Sequence, residues 1–178
     1  MKKEMPKNGQ QVYYDENMNL NHVEKWKDGI KILVRYFYHN MEKTVSREVF
    51  FDKLGKFHGR CSKFYKNGSL GIEEHFKNGF LHGKKTYFHP NGQKWVEINY
   101  LNNRRDGKYT RWSEDGKKNA EGNYKDGKKD GKWTSEKYLS TEWHEAEFKD
   151  DICISGYYPE DPDLREPVTF DSNAPWGK

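Results

Sequence analysis

Aliphatic side chains are scarce in this chain. Leu, Ile, Val and Phe together account for 31 of 178 residues, too few for the deep core that a doubly wound α/β enzyme requires. No stretch approaches the ~18 consecutive apolar residues of a membrane-spanning helix. Cysteine is nearly absent: Cys61 and Cys153 stand far apart with no CxxC pair, which argues against a zinc ribbon or a redox dithiol and for two inert thiols. The opening residues carry lysines but no apolar stretch behind them, so a secretory signal is not expected and a cytoplasmic location is. Proline is withheld from most of the chain, and four of the six fall at Pro159, Pro162, Pro167 and Pro175.

Aromatic residues are abundant by contrast. Phe, Tyr and Trp number 10, 12 and 6, and disordered chains are poor in rings. The expected order is thin, held by rings and by the stems of long charged side chains. Charge is uneven. Residues 53–133 carry 19 basic and 9 acidic groups, and residues 134–178 carry 4 and 11. A basic middle and an acidic end suggest electrostatic steering of a partner.

Repetition is the strongest signal. Gly59, Gly83, Gly107 and Gly131 fall every 24 residues. Four further columns share that step: Gly68, Gly92, Gly116; a ring at Phe76, Tyr100, Tyr124, Phe148; a hydroxyl at Ser62, Thr86, Thr110, Thr134; and a carboxylate at Glu73, Glu97, Glu121, Glu145. Each unit reads as a β-hairpin. Lys84 to Phe88 is a strand of β-formers, Pro90-Asn91-Gly92 a turn, and Gln93 to Tyr100 the return strand. With Asn91-Gly92 as the central pair of a type I′ turn, Thr86 faces Glu97 and Phe88 faces Trp95. The same rule sets Ser62 opposite Glu73 and Thr110 opposite Glu121, so one face carries a hydroxyl–carboxylate ladder edged by Phe64, Phe88 and Trp112. Ile72, Val96, Ala120 and the ring column take the other face. A second set of turns, at Asn78-Gly79, Asn102-Asn103 and Asp126-Gly127, links successive hairpins.

The stretches from Phe76 to Gly92 and from Tyr124 to Trp133 resemble the MORN repeat, and more closely its bacterial variant. The resemblance covers about residues 34–150 and is good from Phe64 to Trp133. Outward it fades: Lys53 to Gly59 carries one extra residue, Asn103 stands where glycine is expected, and Asp150-Asp151 replaces the last Asn-Gly. Five or six units fit. The expected fold is all-β, a single-layer antiparallel meander of about 24-residue hairpins with an irregular C-terminal tail. The expected organisation is an N-terminal tail over 1–11, the repeat domain over 12–157 and an acidic, Pro-rich tail over 158–178. That tail is expected to dock in part through Tyr157, Tyr158, Phe170 and Trp176 and to cover the last open edge.

Chemistry is hard to place on such a frame. The seven histidines form no spaced metal cluster. A carboxylate repeated once per hairpin supplies several like sites, whereas acid–base catalysis needs unlike ones. The chain therefore reads as a non-enzyme with no cofactor and no metal. The resemblance implies an antitoxin or immunity protein that neutralises a cognate toxin by direct contact. A MORN-type scaffold or a module for anionic membrane surfaces is the alternative, with nucleic-acid or carbohydrate binding behind it. Nucleic acid is disfavoured because the lysines sit mainly in turns. The candidate binding residues are the rings Phe64, Phe88, Trp95, Trp112 and Trp143 and the acidic residues Glu145, Asp150, Asp151, Glu160 and Asp161, which would suit a basic active site. Cytoplasmic toxin, scaffold and membrane readings all require a surface that is touched rather than a cleft that reacts.

Overall fold

Two kinds of turn, alternating along the chain, build this protein. The computed structural model describes residues 7–38, 44–136 and 142–158, and all regular structure there is β-strand. The chain divides into two compact units, with the boundary between Phe80 and Leu81. The first holds β1 (Gly9–Tyr14), β2 (Leu20–Lys27), β3 (Ile30–Phe37), β4 (Val45–Phe51), β5 (Phe57–Phe64) and β6 (Leu70–Lys77). The second holds β7 (Phe80–Phe88), β8 (Lys94–Leu101), β9 (Arg104–Trp112), β10 (Lys118–Lys125), the two-residue β11 (Lys128–Lys129), β12 (Gly131–Glu136), β13 (Trp143–Lys149) and β14 (Ile152–Gly156). Within each unit successive strands pair antiparallel in chain order, and β11 pairs on β10 beside β12. This is the expected meander of hairpins.

The turn chemistry corrects the sequence reading. Type I′ requires positive φ at both central residues. Asn91 does not have it; Gly92 alone does, at +87°. His89 N donates to Gln93 O and Gly92 N to His89 O, each at 2.8 Å. Pro90, with its fixed φ, starts a type I turn, and Gly92 closes it as a left-handed bulge, which makes a three-residue loop. The Asn91 side chain braces it by accepting from Gln93 N at 2.9 Å. The type I′ pairs lie in the other set of turns: Asp28-Gly29, Asn78-Gly79, Asn102-Asn103, Asp126-Gly127 and Asp150-Asp151 all have two consecutive positive φ angles. Asn103 and Asp151 thus fill a glycine position, as short polar residues can. The extra residue before β5 has a direct consequence. The β4–β5 connection becomes a three-residue loop, with Asp52 N on Lys56 O and Gly55 at φ +74°.

The longer loop shifts register by one, and a bulge restores it. Phe88 pairs with Lys94, not Trp95; beyond a shift, Tyr87 pairs with Val96 and Thr86 with Glu97. Trp95 is the residue left over. The same shift leaves out Gly71 between β5 and β6 and Asn119 between β9 and β10. Because loop and bulge cancel, the expected pairs Ser62–Glu73, Thr86–Glu97 and Thr110–Glu121 all form. In the second unit they join into one row, Thr86, Glu97, Thr110, Glu121, Thr134 and Glu145, each opposite the next. The glycine and ring columns also prove to be one feature: Gly59 pairs with Phe76, Gly83 with Tyr100, Gly107 with Tyr124 and Gly131 with Phe148.

The opposite face of each unit holds its core. In the second unit Val96, Ile98, Tyr109, Ala120, Tyr124, Trp133, Ala146 and Phe148 are buried together. Trp133 is the hub, with ring centroids of Tyr124 at 5.0 Å and Tyr109 at 5.2 Å and its Nε1 donating to Asn123 O. It can lie flat because the strand beneath is bare: a Cβ on Gly122 would stand 2.1 Å from the indole. Lys129 Nζ lies 4.8, 5.0 and 4.4 Å from the ring centres of Trp133, Phe148 and Tyr158, a cation held by rings. Tyr158 thereby packs on this cluster, while Tyr157 is mostly exposed with its ring against His144; Phe170, Trp176 and the rest of the tail lie outside the described residues. In the first unit Val34, Val49 and Cys61 form the core row, each opposite the next, and Ile72 is buried beside it. Burial pushes the Cys61 thiol up, against the nearby Arg47 charge. Glu24 enters this face too, opposite Val34. Burial alone would raise its carboxyl, but the Lys31 hydrogen bond and charge, with donors from Tyr13 and Trp26, hold it below the ordinary value.

Candidate interaction surface

The ladder face is a lattice of ion pairs laid on strand register. Glu97 takes Lys84 at 2.9 Å and Lys94 at 2.7 Å. One repeat on, Glu121 takes Lys118 at 2.8 Å and Lys108 at 3.4 Å. Next, Glu145 takes Lys132 at 2.8 Å. In the first unit Arg35 pairs with Glu48, and Arg60 lies 3.7 Å from Glu73. Burial works to raise the Glu97 carboxyl, yet its two lysine hydrogen bonds hold it below the ordinary value. The Lys118 hydrogen bond does the same for Glu121. General acid catalysis needs a carboxyl kept protonated; these two are held ionised. Among the described residues no group of three or more His, Cys, Asp or Glu is placed to hold a metal ion.

The candidate residues scatter over this frame. Phe64 ends β5 in the first unit, where its carbonyl accepts from Tyr38 Oη. Phe88 and Trp112 share the ladder face of the second unit, with Lys94 over the Trp112 ring at 5.6 Å. Trp95 leaves them. As the bulged residue it turns to the core face, 6.3 Å from Tyr87 and 5.7 Å from His89 between ring centres. The single ring patch drawn with Trp95 beside Phe88 is therefore split between two faces. Trp143 is 41% exposed. It pairs with Glu136 with no register shift, so it stays on the ladder face with Glu145. Asp150 and Asp151 form the last type I′ turn; Asp151 Oδ1 accepts from Lys129 N at 2.6 Å, and Lys128 Nζ lies 3.9 Å from Asp150. Their charge is thus partly spent within the fold. Glu160 and Asp161 lie outside the described residues.

Four strands of the second unit, β9, β10, β12 and β13, enclose a shallow concavity of about 540 Å³ on the ladder face. Lys108, Lys118, Lys132, Glu121, Glu145, Asn123, Thr134 and Trp143 line it with Gly122. Sequence reasoning singled out Trp143 and Glu145 for binding and held Glu121 and Thr134 in its columns, but it missed Asn123. Asn123 belongs to no column the repeat made conspicuous.

Three successive segments, residues 57–78, 81–102 and 105–126, match the model of the MORN repeat variant. These three segments are similar to MORN-variant units. They cover β5 to β10, the part of the chain in which the 24-residue columns are most regular. No curated protein matches the chain. The repeat places like, ion-paired carboxylates along the ladder, a row that suits structure and contact rather than the unlike pair that acid–base catalysis needs.

Proposed function

We propose that the chain is a docking module whose contact surface for a protein partner lies at the β13–β14 end of the second unit. The observation that carries this reading is β14 itself. All five residues of Ile152–Gly156 are exposed, with Ile152 at 67% and Ile154 at 61%. One edge pairs with β13, and the other has no strand beside it among the described residues. An apolar edge strand is a template for an added strand, which a protein partner can supply and an anionic lipid surface cannot. A cognate toxin is the partner that the resemblance to bacterial MORN-variant proteins supports, and a cytoplasmic encounter goes with it.

A photo-crosslinking residue at position 154 tests the reading in cells of the source organism. A single defined protein adduct that disappears when Ile152 is changed to Lys is the expected result. Pelleting with anionic vesicles and no protein adduct would replace it with the membrane reading. For the toxin, co-expression with the neighbouring reading frame is expected to rescue growth, and to fail with the Ile152→Lys chain.

A further inference from the structure

We propose that the concavity on the ladder face of the second unit is a saccharide-binding site. This goes beyond the docking surface at β14 and does not depend on it.

The first argument is charge. Each of the three lysines that line the concavity sits on a carboxylate, Lys118 and Lys108 on Glu121 at 2.8 and 3.4 Å and Lys132 on Glu145 at 2.8 Å, which leaves a formal surplus of one positive charge over two carboxylates. A charged ligand would have to compete with these contacts for its partner. An uncharged polyol would not: an ammonium has three donors and a carboxylate about four acceptor sites, so hydroxyl groups can add to an intact pair from either side.

The second argument is which groups are left over. One repeat earlier, Asn99 donates to Lys108 O at 3.2 Å and Asn119 accepts from Arg111 Nε at 3.0 Å. Their successors in phase are Asn123 and Trp143. The Asn123 side chain is exposed and makes no hydrogen bond within the described residues, nor does the Thr134 hydroxyl or the Trp143 indole N–H. An amide and a hydroxyl that both donate and accept, around an exposed indole, suit a sugar ring with one apolar C–H face and a rim of hydroxyls. The volume, about 540 Å³, falls within the roughly 300–1,000 Å³ of small-ligand sites.

The third argument is uniqueness. Two units before, the tryptophan of this phase, Trp95, is carried to the other face by its bulge, and one unit before the position is held by Asn119. Only where β12 and β13 pair without a shift does the indole reach the ladder. The site is therefore a property of this hairpin and not of the repeat.

The full-length chain is to be applied to an array of neutral oligosaccharides (β-linked glucose and N-acetylglucosamine oligomers, mannose and galactose oligomers) and uronate oligomers. Polysaccharide fragments and protein-type glycans are both included, to separate the two natural sources. The expected result is binding of at least one neutral oligosaccharide, weakened tenfold or more by Trp143→Ala and by Asn123→Ala. Trp143→Phe keeps part of it, and Lys84→Ala, which lies outside the concavity, leaves it unchanged. The proposal is overturned by an array on which nothing binds, by binding that ignores Trp143→Ala, or by binding confined to uronates and abolished by salt. Melting curves of each variant separate loss of the site from loss of the fold.

Discussion

Three residues show how much one backbone atom decides here. Gly122 has no side chain because the Trp133 indole occupies that space. Gly122→Ala forces the hub ring off its seat and is expected to cost about 1–3 kcal/mol, as overpacked cores do, read as a lower urea midpoint with unchanged slope. Gly92 is the opposite case. Nothing lies within 4 Å of its would-be Cβ, and only φ, at +87°, is demanding. Gly92→Val is expected to cost about 1–2 kcal/mol through the backbone alone, and Gly92→Asn clearly less. Met18 occupies the same turn position in the β1–β2 loop with φ +64°, which an L side chain adopts only under strain. Met18→Asn is expected to raise stability by on the order of 0.5 kcal/mol. A fall would show that the methionine side chain earns its place by packing.

At the scale of the strand pair, the sequence held the period, the columns and the ladder partners, but not the bulge. The reason is arithmetic. A two-residue loop with no bulge and a three-residue loop with one give the same pairs from Tyr87–Val96 inward, and they differ only toward the turn, where Phe88 takes Lys94 in place of Trp95. Phe88 and Trp95 are two of the candidate binding rings. A double-mutant cycle separates the two arrangements: Tyr87→Ala with Trp95→Ala is expected to couple by about 0.5–1.5 kcal/mol, as touching rings do, and more strongly than Phe88→Ala with Trp95→Ala. The reverse order would restore the two-residue loop. The ladder itself was legible because its lysines and glutamates recur in phase. Its pH behaviour follows from direction alone. The Glu97 and Glu121 carboxyls are lowered in the fold relative to the unfolded chain. Their contribution is complete above the ordinary glutamate value and is lost as pH falls through the lower, folded one. Glu97→Gln is therefore expected to reduce stability near neutral pH and to flatten the acid limb of the stability profile. An unaltered acid limb would mean that the lysine contacts are solvated away.

At the scale of the second unit, repetition supplies the frame and its exceptions supply the candidate sites. Trp95 and Trp143 share a phase, yet one lies on the core face and the other on the ladder face. No column in the sequence marks that difference, since it rests on whether a bulge forms beside the turn: one does after Pro90-Asn91-Gly92, and β12 and β13 pair without one. The rings were legible as rings, and their sides were not. The same frame predicts how damage spreads. In a repeat sheet each strand leans on its neighbours, so stability is a sum of local terms. Trp133→Ala removes a hub that touches Tyr109, Tyr124, Phe148 and Tyr158 and is expected to cost about 3–5 kcal/mol. Hydrogen exchange is the measurement. Protection is expected to collapse first in β10, β12 and β13 and to persist longest in β7 and β8, which the indole does not reach. Equal loss across β7 to β13 would mean that the unit unfolds in one step, and that its hairpins, although alike in sequence, do not stand as separate cooperative pieces.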